Sequence, residues 1–138
     1  MTMQEALSYR PRAVPLPTRL VTRAVVLAAR VLATRSPGRI RWVLSRLRRD
    51  ARPATVAEAR AARAAVVAVS LACAGRQGCL PRSLATVLLC RLRGQWPTWC
   101  VGVRRIPPFA AHAWVEAEGV PVDEDFTPDY FRTFFTVA

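Results

Sequence analysis

The sequence predicts an α+β fold, a helical N-terminal half packed on a small antiparallel sheet. Three observations carry that prediction. From Thr18 to Arg93, apolar residues recur every three or four positions, the helical period. After Gly94 the pattern becomes extended, in Trp99-Cys100-Val101-Gly102-Val103 and again over Ala111 to Ala117. Turn residues separate the runs, at Ser36-Pro37-Gly38, Pro53, Gly75, Gly78, Gly94 and Glu118-Gly119.

Taken in order, residues 1–16 read as an extended arm, because Pro11, Pro15 and Pro17 oppose helix there. Residues 17–138 read as a single domain, helical over 17–74, with one further helix and the sheet over 75–138. Thr18 is positioned to cap a helix to about Thr34, with Leu20, Ala24, Leu27 and Val31 as its expected core stripe. Ser36 followed by Pro37 suits an N-cap and first helical residue. The second helix then runs to about Arg49 on Ile40, Val43, Leu44 and Leu47. Thr55 and Glu58 have capping-box spacing for a third helix to about Cys73, almost wholly apolar after Arg63. Cys79 opens a fourth, with Pro81 in its first turn, Leu80, Leu84, Val87, Leu88 and Leu92 facing a core, and Gly94 just past its end. Three strands follow, around Trp99–Val103, Ala111–Ala117 and Val120–Val122. The aromatic tail holding Tyr130, Phe131, Phe134 and Phe135 is expected to dock on the sheet or on a partner.

The 138 residues carry a net charge of +12, and every basic residue is arginine. That surplus predicts attraction to an acidic partner: nucleic acid, an anionic surface or an acidic peptide or protein. A GC-rich coding sequence would also favour arginine together with the abundant alanine. No run of about 18 uninterrupted apolar residues exists, so no transmembrane segment is expected. No signal peptide is expected from the first residues, and a reduced, cytoplasmic protein is the natural reading of four cysteines without a CxxC pair. Neither a metal nor a cofactor is expected.

Cys79, His112 and the acidic run Asp123-Glu124-Asp125 follow one another in the order of a nucleophile, its base and an orienting carboxylate. A thiol becomes a good nucleophile on ionising, and a helix N-terminus and a nearby histidine both favour the thiolate. The free N–H groups there, Cys79's own included, could hold an oxyanion, with Gln77 as an added side-chain donor. His112 is the chain's only histidine; alternation places it on one strand face with Ala110, Trp114 and Glu116. Asp123 and Glu124 point to opposite sides of an extended chain, so only one of them can serve His112.

The segments Cys79-Leu80-Pro81-Arg82-Ser83-Leu84-Ala85, Leu88 to Gly94, Val101-Gly102-Val103 and Phe109 to Glu116 together resemble the leader peptidases of lasso-peptide biosynthesis. Those are small transglutaminase-like cysteine proteases with a transglutaminase/papain-like core. The resemblance covers residues 75–130 well and the N-terminal half in general character. It implies that Cys79 and His112 are catalytic. The strand-end position in transglutaminase-like folds points to Asp123 as the third member, and the spacing from the histidine points to Glu124. The implied reaction is hydrolysis that removes the leader from a ribosomally made precursor, just after a threonine near the leader's end. The implied partners are the precursor peptide, a separate leader-recognition protein acting in trans as in a split pair, and, as a further candidate, the lasso cyclase. Nucleic acid is not an expected partner.

Two other readings stand beside this one. A transglutaminase-like acyltransferase, or an inactive scaffold of the same fold, would carry the same residues. A basic nucleic-acid-binding domain would use the charge alone, though no helix-turn-helix or RNA-binding motif is present.

Overall fold

The structure, a computed structural model, describes residues 10–75, 77–124, 126 and 129–138. The expected arm falls largely outside them; what is described is a short 3₁₀ turn, Pro11–Ala13. Helix α1 spans Leu16–Leu32 and begins before Thr18, because Pro15 precedes it and Pro17 fits its first turn. Its buried face is Thr22, Val25, Val26 and Ala29. The expected core stripe points the other way: Leu20, Leu27 and Val31 are 58%, 65% and 51% exposed. Both stripes have the helical period, and the smaller side chains are the ones packed inward.

Helix α2, Pro37–Leu47, starts as expected, with Ser36 Oγ accepting from the Arg39 N–H, and it buries Ile40 and Leu44. Helix α3, Val56–Val69, carries both bonds of its capping box: Glu58 N–H to Thr55 Oγ1 (3.1 Å) and Thr55 N–H to Glu58 Oε1 (2.9 Å). The expected continuation to Cys73 is broken at Ser70, whose backbone is extended. Ser70 Oγ instead caps a one-turn helix α4, Leu71–Ala74, by accepting from the Cys73 N–H.

Helix α5, Cys79–Leu92, is the centre of the molecule. It packs against α1 and α3 on one side and against the sheet on the other. Eight of its residues are buried, including Arg82, Ser83 and Thr86, so it is covered nearly all round. Leu92, expected in the core, is 66% exposed because it lies at the helix end, before Gly94 at φ +78°.

Two-residue strands β1 (Arg52–Pro53) and β2 (Gln95–Trp96) pair in parallel and tie the linker before α3 to the chain after α5. The main sheet comprises β3 (Thr98–Arg104), β4 (Ala111–Ala117), β5 (Val120–Pro121) and β6 (Phe131–Val137). Its order is β5-β4-β3-β6, antiparallel throughout. The aromatic tail therefore docks as the β6 edge strand on β3, with a register shift between Val101 and Gly102. Glu118 and Gly119, both at positive φ, make the tight β4–β5 turn, the conformation a type I′ hairpin needs. The α+β architecture is as the sequence predicts. Trp99, Ala113, Val115 and Val137 meet Leu84, Val87 and Cys90 in the core between sheet and helices. A bond from Trp99 Nε1 to Ser83 Oγ (3.0 Å) pins α5 to β3.

Candidate active site

Cys79 sits at the first residue of α5, its placement set by the turn before it. A side chain at Gly78 would put a Cβ 2.1 Å from the Ala72 carbonyl oxygen, so only glycine lets this loop close against α4. Arg82, one turn into α5, is buried and donates from Nη1 to the carbonyls of Cys73 (3.1 Å) and Gly75 (3.3 Å). The guanidinium thus ties the end of α4 to the start of α5. The sequence offered a signal for this role: Arg82 is the lone charged residue between Cys79 and Arg91.

The thiol of Cys79 interacts with the His112 side chain and with the backbone of Ala113, both on β4. His112 lies on the sheet face with Trp114, which stacks near-parallel to it at 5.7 Å. Phe131 of β6 stacks on it as well, at 5.0 Å, and Phe126 meets it edge-on at 5.9 Å. Trp114 Nε1 donates to Glu116 Oε2, so the alternation of His112, Trp114 and Glu116 on one face holds.

The chain beyond β5 decides which carboxylate reaches the imidazole. The Val122 N–H bonds the Val115 carbonyl, and Val122 is buried. Asp123 then turns through φ +52°, a left-handed conformation that aspartate tolerates. That turn sends Asp123 Oδ1 outward to Arg60 Nε (3.0 Å) and aims Glu124 inward. Glu124 Oε1 lies 3.3 Å from His112 Nε2, with both side chains largely buried. With Nε2 facing the carboxylate, Nδ1 is left for the thiol. Cys79, His112 and Glu124 are therefore brought together, and Asp123 is not. Asp125 lies outside the described residues. Gln77 is exposed in the turn ahead of Gly78.

A thiol at a helix N-terminus thus faces a histidine on an antiparallel sheet, with a carboxylate from the chain just beyond that sheet on the other side of the ring. The family model of the transglutaminase-like superfamily matches residues 12–136. The chain belongs to the transglutaminase-like superfamily. No curated protein and no solved structure matches it. Cysteine peptidases and acyltransferases both occur in this superfamily.

The electrostatics of this transglutaminase-like site favour separated charge. Burial pushes the Cys79 thiol up, but His112, the Ala113 backbone and the nearby Arg82 charge outweigh it, and its pKa is lowered. Burial likewise pushes the imidazole down, yet its bonds to Cys79 and Glu124 outweigh that and raise it to about 9. Part of each shift is one interaction seen from its two ends: thiolate and imidazolium stabilise each other. The aromatic faces of Trp114 and Phe131 also suit a cationic ring. In the first turn of α5 the N–H groups of Cys79 and Leu80 have no helical acceptor, whereas that of Arg82 is taken by the Gly78 carbonyl. The other cysteines are free, buried thiols. No three histidine, cysteine or acidic side chains converge as a metal-ligand set among the described residues. No helix of the described residues is long and apolar enough to cross a membrane.

Proposed function

We propose that the chain is a cysteine peptidase that removes the leader from a lasso-peptide precursor presented by a separate leader-recognition protein. The observation that carries this reading is the Cys79–His112–Glu124 line, with the thiol at the N-terminus of α5. The pairing of Cys-Leu-Pro-Arg-Ser-Leu with Ala-His-Ala-Trp-Val-Glu supports the leader as substrate.

The thiolate attacks the scissile carbonyl carbon, and the N–H groups of Cys79 and Leu80 receive the oxyanion. His112, as imidazolium, gives its proton to the departing amine as the C–N bond breaks, leaving a thioester. Neutral His112 then takes a proton from water as it attacks the thioester, and the thiolate leaves with the leader's new carboxylate formed. Glu124 holds the ring with Nδ1 toward the sulfur throughout and stabilises its charge, a positioning role. The +12 charge supports an acidic recognition partner, since opposite charge speeds encounter.

Incubating a leader-core precursor with the chain, with and without the recognition protein, and weighing the products tests this. Expected is a leader fragment bearing a free carboxylate, formed only with native Cys79 and accelerated by the partner. Capture of the acyl group by an added amine in preference to water would assign the chain to the acyltransferases. An uncut precursor with a chain shown to be folded would overturn the peptidase.

A further inference from the structure

Helix α1 has two apolar faces, and among the described residues the fold uses only one. Thr22, Val25, Val26 and Ala29 are buried. Opposite them lie Leu16, Leu20, Leu27 and Val31, 57%, 58%, 65% and 51% exposed. At 100° per residue the two faces are nearly diametrically opposed. Single exposed leucines are ordinary, but a continuous line of them along a whole helix marks a contact surface.

The spacing of that line is specific. Leu20, Ala24, Leu27 and Val31 step by four, three and four residues, the a/d rhythm with which one helix receives the side chains of another. Arg23 and Arg30, both exposed and one heptad apart, follow one rim of the seam; Val21 and Ala28 follow the other. α1 contains three arginines and no acidic residue. A second copy docking through its own α1 would bring no carboxylate to those arginines and would add another +12 of like charge. A lipid surface is a poorer fit as well. Interfacial helices turn a polar face to water opposite the apolar one and are anchored by aromatics; here the opposite face is in the core and α1 has no aromatic residue.

We propose that the exposed seam of α1 docks an amphipathic helix of a separate protein, with leucine-like residues on the seam and carboxylates along its Arg23–Arg30 edge. The seam carries none of Cys79, His112 and Glu124, so the proposal stands or falls apart from the catalytic reading.

A synthetic peptide of about three heptads, leucine at a and d and glutamate at e and g, is the probe, titrated by fluorescence anisotropy into the full chain in its Cys79→Ala form. Expected is binding that weakens as salt rises, and a peptide with lysine at e and g that binds at least about tenfold more weakly. The double variant Leu20→Gln, Leu27→Gln should lose about tenfold or more of that affinity while its melting temperature stays unchanged. The double variant Arg23→Gln, Arg30→Gln should bind more weakly and flatten the salt dependence. No binding of the acidic peptide, or equal binding of both peptides, overturns the proposal. So does a melting temperature that falls in the leucine variant, which would mean the seam is already covered within the chain. Sedimentation on phosphatidylglycerol vesicles without peptide binding would assign the seam to a membrane. A dimer dissolved by the leucine variant would assign it to a second copy.

Discussion

Helix α5 carries two cysteines in opposite states. Cys79, at its first residue, has a lowered pKa; Cys90, three turns on, is pushed up to about 12. Both are mostly buried, and burial raises both thiols. What differs is what stands beside each sulfur. Cys79 faces an imidazole, a backbone contact from Ala113 and the charge of Arg82. Cys90 is packed in the core, where only the weaker influence of Arg93 opposes burial. Cys73 and Cys100 are raised for the same reason as Cys90. A readily ionised thiol here is made by position on the helix, and that position is held by Gly78 and Arg82 against the end of α4.

The most direct way to break the contrast is to move the start of α5. In Gly78→Ala the new Cβ meets the backbone carbonyl of Ala72, which cannot rotate away as a side chain would. The turn must shift, carrying Cys79 off His112, and a displacement of about 1 Å in such a site costs on the order of a hundredfold in rate. Hydrolysis of the precursor should fall by at least that factor, and Cys79 should alkylate more like an ordinary thiol. Circular dichroism and a melting curve would check that α5 persists. An unchanged rate would mean that the loop is not what places the sulfur.

A smaller effect separates the two carboxylates. Glu124→Gln keeps the shape but removes the charge 3.3 Å from His112 Nε2, and should lower the hydrolysis rate by about tenfold to a hundredfold. Asp123→Asn weakens only an exposed contact with Arg60, where a surface ion pair is worth about 0 to 1 kcal/mol, and should leave the rate within about twofold. Parallel kcat/KM measurements on the two variants settle which carboxylate serves the ring. Equal losses would put the catalytic influence in the loop as a whole.

How much of this was legible in the sequence depends on the range of the interaction that fixes each feature. The helix starts at Ser36 and Thr55 and the Glu118-Gly119 turn were readable, because a cap or a tight turn is decided within a few residues. The placement of Cys79 and His112 in one site was readable from order and motif. The choice between Asp123 and Glu124 was open in the sequence, because it turns on one left-handed backbone angle at Asp123 and on Arg60 in a distant helix. The inward face of α1 is hidden from the sequence for a related reason. Period reveals that a helix has an apolar stripe, but with two such stripes the core is chosen by which one fits against α5 and α3. Arg82 carried a visible signal, a charge inside an apolar helix, whose meaning needed the carbonyls of Cys73 and Gly75 to be seen beside it.

The last comparison uses pH to separate the two halves of the pair. Alkylation by iodoacetamide needs only the thiolate. Hydrolysis needs the thiolate and a protonated His112 together. Because the Cys79 pKa is lowered, alkylation at Cys79 should set in below the usual thiol range of about 8.5, while Cys90 stays unlabelled in the same tube. As pH rises through about 9 the imidazolium loses its proton, so hydrolysis should decline while Cys79 alkylation does not. Glu124 stabilises the charged ring, so Glu124→Gln should move that alkaline limb to lower pH; a purely structural role would lower the rate and leave the limb in place. If alkylation and hydrolysis fell together above about pH 9, the group titrating there would be needed for the sulfur's reactivity itself, and His112 would be excluded as the proton donor to the leaving amine.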